Sequence, residues 1–196
     1  SVNVSPMTMA AAYATVAAGG VYCRPVAIGS ITAAGGRPLP VATAGCHRVM
    51  SPAVAAAATY ILRGVLTTGT ARGDGVRRDG VYVPQAGKTG TANAFDFAAF
   101  GGYTPKLAGY VSMFNPVGPV THPMIGAAAC FRSASGGADC PGSVFGANAG
   151  QIWQLTFSRA ALGSPVGLFP AVPADSAYFR AGPGTQPARG AAGLGR

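Results

Sequence analysis

The placement of proline and glycine constrains this chain more than any other feature. Proline is excluded from helix interiors and central strands, and glycine weakens both, so each cluster marks a boundary. Twice a serine stands directly before a proline ahead of an apolar run, at Ser5-Pro6 and Ser51-Pro52. Serine is a preferred N-cap, and proline fits the first helical position, where its missing N–H is not needed. The first run carries Met7, Ala10, Ala11, Ala14 and Ala17 at helical spacing and meets Gly19-Gly20, so a helix is expected over about 6–18. The second carries Val54, Ala57, Ala58, Ile61, Leu62 and Val65 on one stripe, which predicts a helix over about 52–66. Between them, residues 21–31 and 38–49 read as short strands around Ala34-Gly35-Gly36-Arg37.

A polar, glycine-rich loop is expected over 67–80, with Arg72, Asp74, Arg77, Arg78 and Asp79. Three strands follow, over about 85–93, 98–103 and 107–115, the last two joined by the turn Thr104-Pro105-Lys106. Links this short imply antiparallel pairing. A long loop over about 116–146 precedes a third helix, about 147–162, that presents Ile152, Leu155, Thr156 and Arg159, with Trp153 and Phe157 four apart. The segment from Ser164 on is rich in alanine, glycine and proline and reads as disordered or as a linker. The expected organisation is one unit over 1–163 and a tail over 164–196. The fold class is α+β, an antiparallel sheet flanked by helices.

Charge narrows the chemistry. The chain has 12 Arg, 2 Lys and 5 Asp, with no Glu, for a net charge of +9. Paired glutamates are therefore excluded as acid and base. Two histidines, His47 and His122, exclude a His-rich metal site, and both read as structural or solvated. The arginines are scattered, only Arg77 and Arg78 being adjacent, and no basic helix or aromatic-interleaved stripe supports nucleic-acid binding. No cofactor motif is present. Arginine, alanine and glycine beside scarce lysine look like the bias of a GC-rich genome. No apolar run reaches the roughly 18 residues of a membrane span, and no signal peptide is evident. The cysteines are Cys23, Cys46, Cys130 and Cys140. Cys130 and Cys140 flank a glycine-rich loop and Cys23 and Cys46 a hairpin region, so two local disulfides and an oxidising compartment are one reading. Four buried free thiols are the other, and without a Cys-x-x-Cys pair zinc is disfavoured.

The sharpest motif is Gly87-Lys88-Thr89-Gly90-Thr91 at the start of an expected strand. It combines an ammonium, two hydroxyls and a glycine that lets a ligand backbone approach a strand edge. It is not a phosphate-binding Walker loop, because Val83 stands where the first glycine belongs.

In context, Ala86-Gly87-Lys88-Thr89-Gly90-Thr91-Ala92 resembles the Lys-Thr-Gly motif of the penicillin-binding protein transpeptidases, which share their fold with the serine β-lactamases. Four further segments resemble that family in the same order: the run from Val4 to Val21, Gly64-Val65-Leu66 leading to Gly69-Thr70-Ala71, Asp96 with Phe100-Gly101-Gly102-Tyr103-Thr104-Pro105, and Gly150-Gln151-Ile152-Trp153. Together they cover roughly residues 4–162, and the Tyr-Thr-Pro and Ile-Trp details lean towards the bifunctional, class A type. The resemblance implies a D,D-transpeptidase that cross-links peptidoglycan stem peptides ending in D-Ala-D-Ala through a serine acyl-enzyme, and that β-lactams trap. It implies that Lys88 places charge near a substrate carboxylate, that Thr89 and Thr91 hydrogen-bond that carboxylate beside Gly90, and that the Thr91 N–H is an oxyanion donor.

The sequence departs from the family at the nucleophile. Ser-x-x-Lys is absent, since Gln85 and Tyr103 stand three residues before the two lysines. Ser1-Val2-Asn3 fits a Ser-x-Asn pattern but abuts the first helix, where the family shows a long separation. The expectation is therefore the C-terminal half of a transpeptidase domain, inactive alone, with its serine and membrane anchor outside this chain, on the extracytoplasmic side of a bacterium. The alternative is a non-catalytic relative that binds peptidoglycan or β-lactams.

Overall fold

Ser5 and Ser51 do cap helices. In the computed structural model, the Ser5 hydroxyl accepts from the Thr8 N–H at 3.1 Å and the Ser51 hydroxyl from the Val54 N–H at 3.2 Å. They open α1 (Pro6–Ala17) and α2 (Pro52–Thr67). The structure describes residues 4–78, 80–126, 130–132, 137–140, 142–160 and 167–172.

Between the two helices lies a broken hairpin. β1 (Val21–Tyr22) pairs with β4 (His47–Arg48), and β2 (Ile31–Thr32) with β3 (Pro38–Leu39), both antiparallel. The two short strands expected here, over about 21–31 and 38–49, are reduced to paired ends of two residues each. Pro25, Pro38 and Pro40 each lack the N–H that a continuous ladder needs. Cys23 and Cys46 form a disulfide directly beyond the β1–β4 pair. The loop expected over 67–80 ends in a small hairpin of β5 (Arg77–Arg78) and β6 (Val81–Tyr82). Asp79-Gly80 between them is a strong two-residue hairpin signal.

The central sheet has the order β7 (Ala86–Thr91), β8 (Ala98–Tyr103), β9 (Ala108–Met113), antiparallel throughout. Two glycines in β8 set how closely the helices approach. A methyl group at Gly101 would lie 1.9 Å from the Tyr13 ring on α1, and one at Gly102 would lie 2.8 Å from Trp153 on α3 (Gly146–Ala160). Neighbouring residues point to opposite faces of a strand, so α1 covers one face and α3 the other. On the α1 face the Tyr103 hydroxyl lies 2.9 Å from Thr59 of α2, and burial pushes its pKa up to about 12. On the α3 face Leu66, Ala71, Val76, Phe100, Ala149 and Trp153 form the main core.

The buried stripe of α3 differs from the expected one. Gly146, Ala149, Gly150 and Trp153 are buried, while Leu155 is 41% exposed. Small residues let the helix lie close to the sheet, and Trp153 fills the space beyond them. In α1 the buried residues are Ala11 and Thr15, with Met7 63% exposed. In α2, Ala55, Ala56, Ala57, Thr59 and Leu66 are buried and Ile61 is 65% exposed.

Described parts of the segment between β9 and α3 pair as a ribbon. Residues 124–126 run antiparallel to 142–144, through the Val144 N–H to the Met124 carbonyl at 3.1 Å and the Gly126 N–H to the Gly142 carbonyl at 3.0 Å. Farther out, β10 (Phe131–Arg132) pairs with β11 (Ala138–Asp139), and Cys130 and Cys140 form the second disulfide. Met124 and Val144 at the root bury against Ala98. Of the segment after Ser164, residues 167–172 are described, and Phe169 packs edge-on against Tyr103 with ring centroids 5.5 Å apart. The rest of the proposed tail, like residues 1–3, lies outside the described residues.

Candidate functional site

The Lys88 motif occupies an edge strand. Among the described residues β7 pairs only with β8. The phase of that pairing decides which backbone groups are free. The Ala92 N–H donates to the Phe97 carbonyl at 2.8 Å, one step beyond the Thr91↔Ala98 pair. In an antiparallel ladder hydrogen-bonded and non-hydrogen-bonded pairs alternate. The bonded pairs therefore fall at Gly90↔Ala99, Lys88↔Gly101 and Ala86↔Tyr103, and the N–H and C=O groups of Gly87, Thr89 and Thr91 point to the open edge. The Thr89 carbonyl shows this directly, for it accepts from Lys88 Nζ at 2.8 Å.

Side chains alternate in the same way. Lys88 and Gly90 stand on the α1 side of the sheet, and Thr89 and Thr91 on the α3 side, in register with Phe100 and Ala98. Lys88 is exposed and curls over the edge, so that Nζ also lies 3.1 Å from Thr89 Oγ1. Thr89 Oγ1 in turn lies 2.7 Å from Thr70 Oγ1. Thr91 Oγ1 accepts from the Gly146 N–H at 2.9 Å, which leaves its own hydroxyl proton free to donate. Gly90 has room: an added methyl would meet the Ala99 side chain at 3.6 Å, an ordinary contact. Internal packing does not demand glycine there, and the space beside Gly90 is open.

Two residues of this site carry no chemical signal of their own in the sequence. Gly146, just before the expected start of α3, is where the helix meets the strand. A methyl there would lie 2.7 Å from the Gly90 carbonyl oxygen and 2.8 Å from the Thr89 side chain. Thr70 reaches the motif from the turn after α2. The ordered Gly-Thr-Ala resemblance pointed to that turn but not to its contact.

The other candidates fall around this centre. Asp96 is partly buried, and its Oδ1 has no hydrogen-bond partner among the described residues. Arg72 is exposed, His47 packs edge-on against Tyr22 at 5.6 Å, and His122 Nδ1 lies 2.9 Å from the Thr121 hydroxyl. All four cysteines are bonded, none of them at the motif.

Asp74, in the turn that carries Thr70, is only 8% exposed and lies against α3, its Oδ2 3.0 Å from where a Gly150 methyl would be. Burial raises its pKa from 3.8 to about 6. The folded protein thus favours the protonated acid. Its stabilising contribution is full below about pH 4 and is lost as the pH rises through about 6. Asp74→Asn is expected to raise the melting temperature by a few degrees at pH 7 and to lose that advantage near pH 4. Thermal melts of both proteins across that range measure it, and an equal difference at both pH values would contradict it.

A family model described as penicillin binding protein transpeptidase domain matches residues 1–122. The chain is 40% identical over 94 residues to penicillin-binding protein 1A of Streptococcus oralis, covering 48% of this chain and 14% of that protein. Its structure is similar to that of the penicillin-binding protein PonA1 from Mycobacterium tuberculosis, with a TM-score of 0.65, 27% identity, and coverage of 83% of this chain and 40% of that one. It is also similar to penicillin-binding protein A of the same organism, solved as an imipenem acyl-enzyme complex, with a TM-score of 0.56, 26% identity, and coverage of 81% and 31%. The chain thus spans well under half of each relative.

Proposed function

The chain belongs to the penicillin-binding protein transpeptidase domain family, and on that premise we propose that it is the C-terminal part of a class A D,D-transpeptidase domain. The observation that carries this reading is the open edge of β7, where the Thr91 N–H, the Lys88 ammonium and the Thr89 hydroxyl face one strip of space.

A stem peptide lies along that edge as an added strand, held by main-chain hydrogen bonds. A serine outside this chain attacks the penultimate D-alanine carbonyl, the terminal D-alanine leaves, and the acyl-enzyme is resolved by the amine of a neighbouring peptide. The Thr91 N–H is one of the donors to the tetrahedral oxyanion. Lys88 and Thr89 bind the terminal carboxylate, and the free Thr91 proton reaches the same group. Gly90 keeps the strip open for the ligand backbone. This chain alone is inactive, because neither lysine completes Ser-x-x-Lys. β-Lactams enter as mimics of the D-Ala-D-Ala end.

Both disulfides fit an oxidising, extracytoplasmic setting. Among the described residues no helix is long and apolar enough to cross a membrane, so membrane attachment is assigned to a segment outside this chain.

Intact-mass spectrometry of the longer protein after exposure to a fluorescent penicillin tests the reading. A single covalent adduct, lost when the Ser-x-x-Lys serine becomes alanine, is the expected result. Reversible muropeptide binding with no adduct would replace the enzyme with a silent binding relative.

A further inference from the structure

Thr70 lies nineteen residues before Thr89, yet their hydroxyl oxygens are 2.7 Å apart. Its position is fixed from both sides. The Gly69 N–H donates to the Gly64 carbonyl at 2.8 Å, and the Ala71 N–H to the Val65 carbonyl at 3.0 Å. A methyl at Gly69 would lie 2.7 Å from Val65 Cα, so the turn is folded tightly onto the last turn of α2. Ala71 is fully buried beneath it. The backbone thus presents the Thr70 hydroxyl at one place on the β7 edge.

There it completes a chain of three polar groups with Thr89 and Lys88. An ammonium only donates, so Lys88 Nζ gives a proton to Thr89 Oγ1. Thr89 then has one lone pair and one proton left, and Thr70 engages one of them. Either way the Thr89 hydroxyl can no longer rotate freely. Resting on the transpeptidase reading above, we propose that Thr70 is a positioning residue for the carboxylate subsite. It fixes the direction of the Thr89 hydroxyl and, through it, where the Lys88 ammonium rests. Thr70 donates to Thr89 when an anion is bound, which leaves the Thr89 proton for that anion. Without Thr70, Thr89 spends part of its time in other rotamers, and the anion loses a charge-assisted hydrogen bond.

Two variants separate this role from a structural one. Valine at Thr70 keeps the branched shape and removes the hydroxyl; serine keeps the hydroxyl and removes the methyl. The rate of acylation by benzylpenicillin is measured on the longer protein that carries the nucleophile. Thr70→Val is expected to slow it about tenfold, the scale of one hydrogen bond to a charged group, and Thr70→Ser to stay within about threefold of the parent. With the methyl ester of benzylpenicillin, whose carboxylate is masked, the parent and Thr70→Val should react alike. Equal losses in Val and Ser, or an equal loss on acid and ester, would make Thr70 merely structural and overturn the proposal.

A second readout does not depend on acylation. Competitive labelling with acetic anhydride, read by peptide mass spectrometry, reports how freely the Lys88 amine is presented. Thr70→Val is expected to change Lys88 labelling relative to Lys106, while Thr70→Ser is not. If the parent takes no penicillin at all, the transpeptidase reading fails while the labelling still decides whether Thr70 positions Lys88. Unchanged labelling in both variants overturns the positioning itself.

Discussion

Lys88→Ala is expected to slow penicillin acylation of the longer protein by about 100-fold or more, the scale of removing a group aimed at charge in an active site. Its melting temperature should stay close to that of the parent. Both halves follow from where Lys88 sits. Its side chain is exposed, and its two partners, the carbonyl and the hydroxyl of Thr89, belong to the next residue on the same strand. Among the described residues no hydrogen bond between elements is lost when the ammonium goes, so the fold has little reason to respond. On the transpeptidase reading, the substrate loses a cation at the β7 edge that can swing from Thr89 onto an incoming carboxylate. Lys88→Arg should recover only part of the rate, since a planar guanidinium does not reproduce a compact ammonium beside a single hydroxyl. The assay is a time course of fluorescent-penicillin labelling paired with a thermal melt. A variant that labels at the parental rate would remove Lys88 from the site.

The same residue shows what a sequence can and cannot reveal. Ala98–Tyr103 is found where the strand is expected before the Thr104-Pro105-Lys106 turn, and the helices opened by Ser5-Pro6 and Ser51-Pro52 match to within a residue or so, because caps and turns are local and their residues are specific to them. The motif strand is legible for a different reason, the chemistry of Gly87-Lys88-Thr89-Gly90-Thr91 and its resemblance to a family motif. The face each helix buries was less legible. α1 and α2 are so rich in alanine that several stripes look equally apolar, and the choice among them is made by contacts with Tyr103 and the glycines of β8, which are distant in the chain. The contact between Thr70 and Thr89 is long-range in the same sense. Nothing in Gly69-Thr70-Ala71 alone says what its hydroxyl will meet; the tight return of the turn onto α2 decides it. Gly146 was missed because a glycine before a helix usually reads as a loop residue, whereas here it is the first helical residue and must be small to touch Gly90.

Trp153→Ala should have the largest effect on stability, a loss of about 3–5 kcal/mol, as for other large aromatics cut to alanine in a core. Trp153 is fully buried. Its ring stacks on Phe157 with centroids 4.9 Å apart and tilts against Phe100 at 5.2 Å, and it fills the hollow that Gly102 leaves in the sheet. Truncation opens a cavity between α3 and β8 that the small residues Ala149 and Gly150 cannot fill. Trp153→Phe should cost much less. The indole N–H has no hydrogen-bond partner among the described residues, so its removal relieves a buried polar group while part of the volume is kept. Urea unfolding of both variants beside the parent measures this, and a loss in Trp153→Phe as large as in Trp153→Ala would contradict it. The prediction also reaches the site. Gly146 at the start of α3 donates to Thr91, so a helix loosened at Trp153 should release that hydroxyl and slow acylation even where the protein remains folded. Partial rate loss in Trp153→Ala under conditions where it is fully native, with none in Trp153→Phe, is the outcome this coupling requires.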